Sequence, residues 1–216
     1  MSRLKVTLMC SDPRHPVNRM LDRWREAQGR AHEITVCRKK AELPGGDILF
    51  LISCSEIIHE VDRSKYSKVL VLHASDLPKG RGWSPHIWEL AAGAEFITLS
   101  LLEAAENVDS GAIWSKEVIP VPDSALYDEI NDLLFQSESR LMDFAILNFA
   151  TVIPQPQSEE VEPTYYRRRV PEDSELDPEL SLAEQFNLLR VCDPQRFPAY
   201  FKLHGHKYKI LLEKLF

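Results

Sequence analysis

The chain opens on alternation. In residues 4–10, "LKVTLMC", Leu4, Val6 and Leu8 share one side of an extended segment, which predicts a first strand. "SDPRHP" breaks it. Val17, Met20, Leu21 and Trp24 then recur at helical spacing. "HEITVC" predicts a second strand. "LPGGD" is a turn, and residues 47–54, "DILFLISC", form an almost unbroken apolar run. Residues 68–75, "KVLVLHAS", repeat that pattern. Strands apolar on both sides suit the middle of a parallel sheet covered by helices. "SPHIWELAAG" predicts a helix with Ser84 as N-cap, Pro85 at its first position and Gly93 as its stop.

"EFITLSLLE" and "AIWSKEVIPV" predict two more strands, read as a hairpin or edge addition around "AAENVDSG". Residues 123–153 form one long amphipathic pattern, predicted as a single helix. The expected class is α/β, a Rossmann-like and largely parallel sheet with helices on both faces. Composition shifts after Ile153: "PQPQSEEVEP" reads as a linker or wrapping loop. A helix over residues 181–192 and two short strands around "HGHK" follow. Residues 1–153 are the expected core. Residues 154–216 are too few for a core of their own, so they are expected to pack on it as a C-terminal extension.

Composition adds exclusions. The formal net charge of -7 over 216 residues argues against a partner that is a long nucleic acid. Cys10, Cys37, Cys54 and Cys192 are far apart and read as buried thiols in a reducing, cytoplasmic setting. The start lacks the apolar core of a signal peptide, and no run is long enough to span a bilayer.

The chemistry concentrates in residues 72–88, "LHASDLPKGRGWSPHIW". His73 falls at the carboxyl end of an apolar strand, where ligands gather in open α/β sheets. Gly80 and Gly82 permit close backbone approach, Pro78 and Pro85 stiffen the loop, and Lys79 and Arg81 add positive charge. No G-x-G-x-x-G follows the first strand, and "LPKGRG" is not a Walker-type loop. His86 is badly spaced from His73 for a metal pair, so no metal site is expected. His204 and His206 alternate on a presumed strand and are expected to share a face, in a solvated or structural role.

This loop resembles the signature of the folate-dependent formyltransferases, roughly Asn-x-His-x-Ser-x-Leu-Pro-x-x-x-Gly-x-x-Pro. His73, Ser75, Leu77, Pro78, Gly82 and Pro85 fall in register. The family's Asp-x-Gly motif is matched by Asp109 and Gly111, and "RRRVPEDSELD" resembles the Arg-Arg-x-Pro-x-Asp segment of sugar-modifying members. The pattern is most similar to small nucleotide-sugar N-formyltransferases of the pseudaminic-acid type.

The resemblance implies transfer of a formyl group from 10-formyltetrahydrofolate to the amine of a nucleotide-linked aminosugar, a small-molecule acceptor. It implies His73 and Asp109 as catalytic. Ile57 and Ile58, with Leu77 and Pro78, would hold the folate. Ser75, Lys79, Arg81, Arg167, Arg168 and Arg169 would hold the acceptor, with cations on its diphosphate. Tyr165 or Tyr166 would stack on a base or pack the tail onto the core. One position departs from the pattern: Val71 stands where the family has asparagine, whose amide supports the oxyanion. Losing such a donor costs roughly 10²–10³ in rate unless Ser75, Asn107 or a backbone N–H replaces it. A purine-pathway transformylase, a methionyl-tRNA formyltransferase, a deformylating hydrolase, and a folate or nucleotide-sugar binding protein without turnover are the alternatives. Monomer and homodimer both remain open.

Overall fold

The computed structural model describes residues 2–215. In chain order the elements are β1 (Lys5–Met9), α1 (Asn18–Gln28), β2 (Glu33–Cys37), β3 (Gly46–Leu51), α2 (Glu60–Arg63), β4 (Tyr66–His73), β5 (Arg81–Gly82), α3 (Pro85–Ala91), β6 (Phe96–Glu103), β7 (Ile113–Pro120), α4 (Tyr127–Leu147), β8 (Tyr165–Tyr166), α5 (Phe186–Arg190), β9 (Tyr200–Leu203) and β10 (His206–Lys209).

The central sheet runs β2-β1-β3-β4-β6-β7. β2, β1, β3 and β4 pair in parallel, while β6 and β7 add as antiparallel strands. The expected α/β class and the hairpin reading of β6 and β7 are thus observed. β2 and β3 lie on opposite sides of β1, so the winding reverses there. In open α/β sheets a ligand crevice lies at such a reversal, beyond the carboxyl ends of the strands.

Helices flank the sheet unequally. Met20, Leu21 and Trp24 of α1, Leu90 of α3, and Ile130, Leu134 and Met142 of α4 pack with Leu8, Phe50, Leu70 and Leu99 in one large core. Each such side chain contributes about 1.5–3 kcal/mol by leaving water. The opposite side of the sheet is thinner. Met9, Leu49, Leu51, Ile58, Tyr66 and Val69 form its core, edged by the partly buried Cys54, Val71 and Ala104.

Four local expectations are corrected. Ser84 precedes α3 in left-handed backbone, φ 46°, and its side chain makes no capping bond; Pro85 alone pre-sets the helix start. The long helix is shorter than residues 123–153. At its start the Glu129 carboxylate accepts the Leu126 N–H at 2.8 Å, and at its end the Asn148 side chain donates to the Phe144 carbonyl at 2.8 Å. The helix expected over 181–192 shrinks to α5. Ser181 and Glu184 bond each other, and Gln185 reaches back to the Asp177 carbonyl at 2.9 Å, so local polar side chains hold a turn there. Finally, His204 is in the hairpin turn with Gly205, at φ 49° and 76°, so it shares no strand face with His206 of β10.

Candidate active site

His73 ends β4 and is 7% exposed. Strand alternation points it to the same face as Val71, the thin side of the sheet. Its Nε2 lies 2.8 Å from the Gly80 carbonyl, which can only accept, so that nitrogen carries a proton. Its Nδ1 lies 3.6 Å from Asp109 Oδ2. The same Oδ2 accepts the Gly82 N–H at 2.9 Å. The loop bearing His73 and the turn bearing Asp109 thus close on each other, as the two motifs required.

The motif residues around this pair have physical reasons. The Leu77–Pro78 peptide is cis, and both residues are buried. A side chain on Gly82, at φ 95°, would run into the Tyr166 carbonyl. One on Gly111 would run into the Glu103 carbonyl, so only glycine lets the chain fold back on β6 after Asp109. Asp109 itself is left-handed at φ 53°. Ser75 is fully buried; its carbonyl accepts from Ser100 Oγ at 2.7 Å, while its own hydroxyl has no partner. Lys116 clamps the loop, reaching Asp76 at 2.5 Å and the Leu77 carbonyl at 2.7 Å.

The predicted residues divide on inspection. Ile58 is a core residue at 5% exposure, whereas Ile57 is 60% exposed. Lys79 is exposed. Arg81 is engaged: it donates to Gln157 Oε1 at 2.7 Å and to the Tyr165 hydroxyl at 3.2 Å. Arg167 and Arg169 both lie over the Trp88 ring, 4.8 and 5.7 Å from its centroid, and each also has a partner in the tail. Arg167 makes a two-pronged pair with Asp173, at 2.7 and 2.5 Å, and lowers that carboxylate's pKa. Arg169 donates to the Asp173 carbonyl and Ser174 hydroxyl. Arg168 lies over the Trp83 ring, 5.0 Å from its centroid. Tyr166 stacks on Trp88 at 6.1 Å and 7°, which packs the tail on the loop, while Tyr165 is exposed beside Arg81.

The segment expected as a linker or wrapping loop forms a strap over the site, and the contacts of Gln157 and Thr164 within it were not anticipated. The Pro-rich segment is anchored by Gln155, whose backbone exchanges bonds with Ile113 at 2.7 and 2.8 Å. Gln157 then donates to the carbonyls of Asp109 and Gly111 at 2.7 and 3.0 Å. Thr164 accepts the Gly80 N–H at 2.8 Å, and β8 pairs with β5. Two half-buried histidines border the same region. Burial pushes His15 down to about 4 and His86 down to about 3. Among the described residues no cluster of His, Cys, Asp and Glu could hold a metal ion, and no helix is long and apolar enough to cross a membrane.

Comparison with known proteins bears on the fold. The methionyl-tRNA formyltransferase of Acidobacterium capsulatum is 29% identical over 182 residues, 82% of this chain, and the chain spans 57% of that relative's length. No family model matches. Among solved structures, methionyl-tRNA formyltransferase from Clostridium thermocellum superposes with a TM-score of 0.79 at 21% identity, covering 94% of this chain and 90% of that one. HypX from Aquifex aeolicus in complex with tetrahydrofolic acid gives 0.77 at 21% identity, over 95% of this chain and 37% of that one. A sugar N-formyltransferase from Shewanella gives 0.73 at 15% identity, over 99% and 98%. The resemblance carried by the motifs therefore holds: this chain has the folate-dependent formyltransferase fold.

Proposed function

We propose that the chain transfers a formyl group from 10-formyltetrahydrofolate to the amino group of a nucleotide-linked aminosugar. The observation that carries this reading is the meeting of His73 and Asp109 at the carboxyl end of β4, within the loop that matches the family signature. HypX, of like fold, has been solved with tetrahydrofolic acid, and the sugar N-formyltransferase of Shewanella matches this chain over nearly the whole of both.

The residues fit such a donor. Cys54, Val71 and Ala104 are partly buried apolar groups on the thin side of the sheet, on the face that carries His73. They offer a flat apolar floor for a planar ring. The donor supplies an activated formyl carbon, and the rest falls to the chain. His73 Nδ1 is free to take the proton of the attacking amine. The resulting cation is held between the Gly80 carbonyl and the Asp109 carboxylate, and its proton can pass to the departing nitrogen. Asp109 acts by charge and orientation, with Gly82 fixing its carboxylate.

A second acceptor is favoured by a specific observation: the A. capsulatum relative is a methionyl-tRNA formyltransferase. The net charge of -7 weighs against an RNA acceptor. The deciding assay follows tetrahydrofolate release by absorbance with UDP-linked 4-aminosugars, with methionyl-tRNA, and with no acceptor. Release with sugar alone supports the proposal. Release with tRNA transfers it to the second acceptor, release without acceptor marks a hydrolase, and binding without turnover rules out an enzyme.

A further inference from the structure

We propose that Gln157 is a positioning residue that sets the Asp109 carboxylate against His73. The inference rests on the formyl-transfer reading above. Asp109 stands in a left-handed turn, φ 53°, on the connection between β6 and β7, a place where backbone drifts unless it is tied down. The Gly82 N–H holds only its carboxylate. The backbone of the turn is held by the Gln157 side chain, whose one amide nitrogen donates to the carbonyls on both sides of Ser110, at 2.7 Å to Asp109 and 3.0 Å to Gly111.

The other end of the same side chain completes a ring. Gln157 Oε1 accepts from Arg81 at 2.7 Å, and Arg81 lies between Gly80, whose carbonyl takes His73 Nε2, and Gly82, whose N–H takes Asp109. Gln157 therefore touches the Asp109 turn and the His73 loop at once. A planar amide with donors at one end and an acceptor at the other is the neutral group that meets both demands. A glutamate would keep the Arg81 contact but turn a carboxylate oxygen toward the two carbonyls, repelling the turn it should hold. The anchoring of Gln155 on Ile113, two residues upstream, makes the strap stiff enough for Gln157 to act as a fixed prop.

A misplaced partner costs rate without costing affinity. Gln157→Ala is expected to lower kcat roughly tenfold to 100-fold with little change in KM for either substrate, and to move the acid limb of the kcat/KM pH profile, because the charge facing His73 is displaced. Gln157→Glu should be no better than Gln157→Ala although Arg81 keeps its partner, and Gln157→Asn should recover part of the loss. Amide hydrogen exchange gives a readout independent of turnover. The Gly82 amide should exchange faster in Gln157→Ala, while the Gly80 and Trp83 amides, bonded to Thr164 and Tyr166, stay protected. If wild type turns over no acceptor, the functional reading fails, and the exchange data still judge the prop. Unchanged Gly82 exchange, or an unchanged pH profile in a Gln157→Ala variant that keeps full kcat, would overturn the inference.

Discussion

Asp109 Oδ2 faces His73 Nδ1 at 3.6 Å while it accepts the Gly82 N–H at 2.9 Å. One carboxylate oxygen thus serves the imidazole and the loop that carries it. At 3.6 Å the first contact is electrostatic and not yet a hydrogen bond. Both side chains are 9% exposed, so the charge acts with little water to screen it.

Asp109→Asn separates charge from shape. The amide oxygen still accepts from Gly82, so the turn keeps its place, but the charge facing Nδ1 is gone. Turnover is expected to fall by roughly 10²–10⁴, and His73→Asn should fall at least as far. Steady-state kinetics beside thermal melts check this. Near-wild-type kcat in a folded Asp109→Asn would remove aspartate from the mechanism.

Gly82→Ala tests the seam between β5 and β8. The new methyl would meet the Tyr166 carbonyl in a backbone at φ 95°. The expected loss is about 1–3 kcal/mol of stability, together with most of the activity. Gly205→Ala is the matched control: φ is 76°, yet nothing lies within 4 Å of the new methyl. It should cost some stability and leave kcat alone. Denaturant melts and kinetics on both variants separate strain from damage to the site.

The sheet was legible because β3 and β4 are apolar runs that suit central strands. The His73 loop was legible because histidine, proline and glycine at that spacing match a specific family signature. Three things were not. Helix ends were misjudged at residues 181–185 because Ser181, Glu184 and Gln185 bond locally, which propensity does not register. The arginine run carried no sign that Asp173 takes Arg167 in an ion pair, or that Arg167 and Arg169 both settle over Trp88. Gln157 lies in a polar, Pro-rich stretch, and its importance comes wholly from the distant residues it meets.

Val71→Asn restores the group that the family pattern carries at this position. Its amide would project from the same face of β4 as His73, beside Cys54 and Ala104. The amide enters apolar surroundings, so stability is expected to drop by about 1–3 kcal/mol. In exchange kcat is expected to rise, by up to roughly 10²–10³-fold, if the oxyanion lacks a donor. Stopped-flow single turnovers read the chemical step directly. An unchanged rate in the folded variant would show that another group already supplies that donor.

Stability should depend on pH through groups outside the reaction. Glu138 in α4 is 6% exposed, its Oε2 has no hydrogen-bond partner, and burial pushes its pKa up to about 8. Below roughly pH 4.3 both folded and unfolded chains hold this proton. Between there and about pH 8 only the folded chain does, so stability falls as pH rises through that window, in total by a few kcal/mol. His15 and His86 act in the opposite sense. Burial pushes them down to about 4 and about 3, so below roughly pH 6.5 the unfolded chain binds protons that the folded chain refuses, and stability falls as pH drops. Two histidines outweigh one carboxyl on the acid side, which sets the expected maximum near pH ~6.5. Glu138→Gln keeps the neutral shape and removes only the alkaline arm. Its urea midpoint should match wild type most closely at pH 5 and exceed it increasingly toward pH 8. Parallel midpoints across that range would mean that the Glu138 carboxyl is ionised in the folded chain.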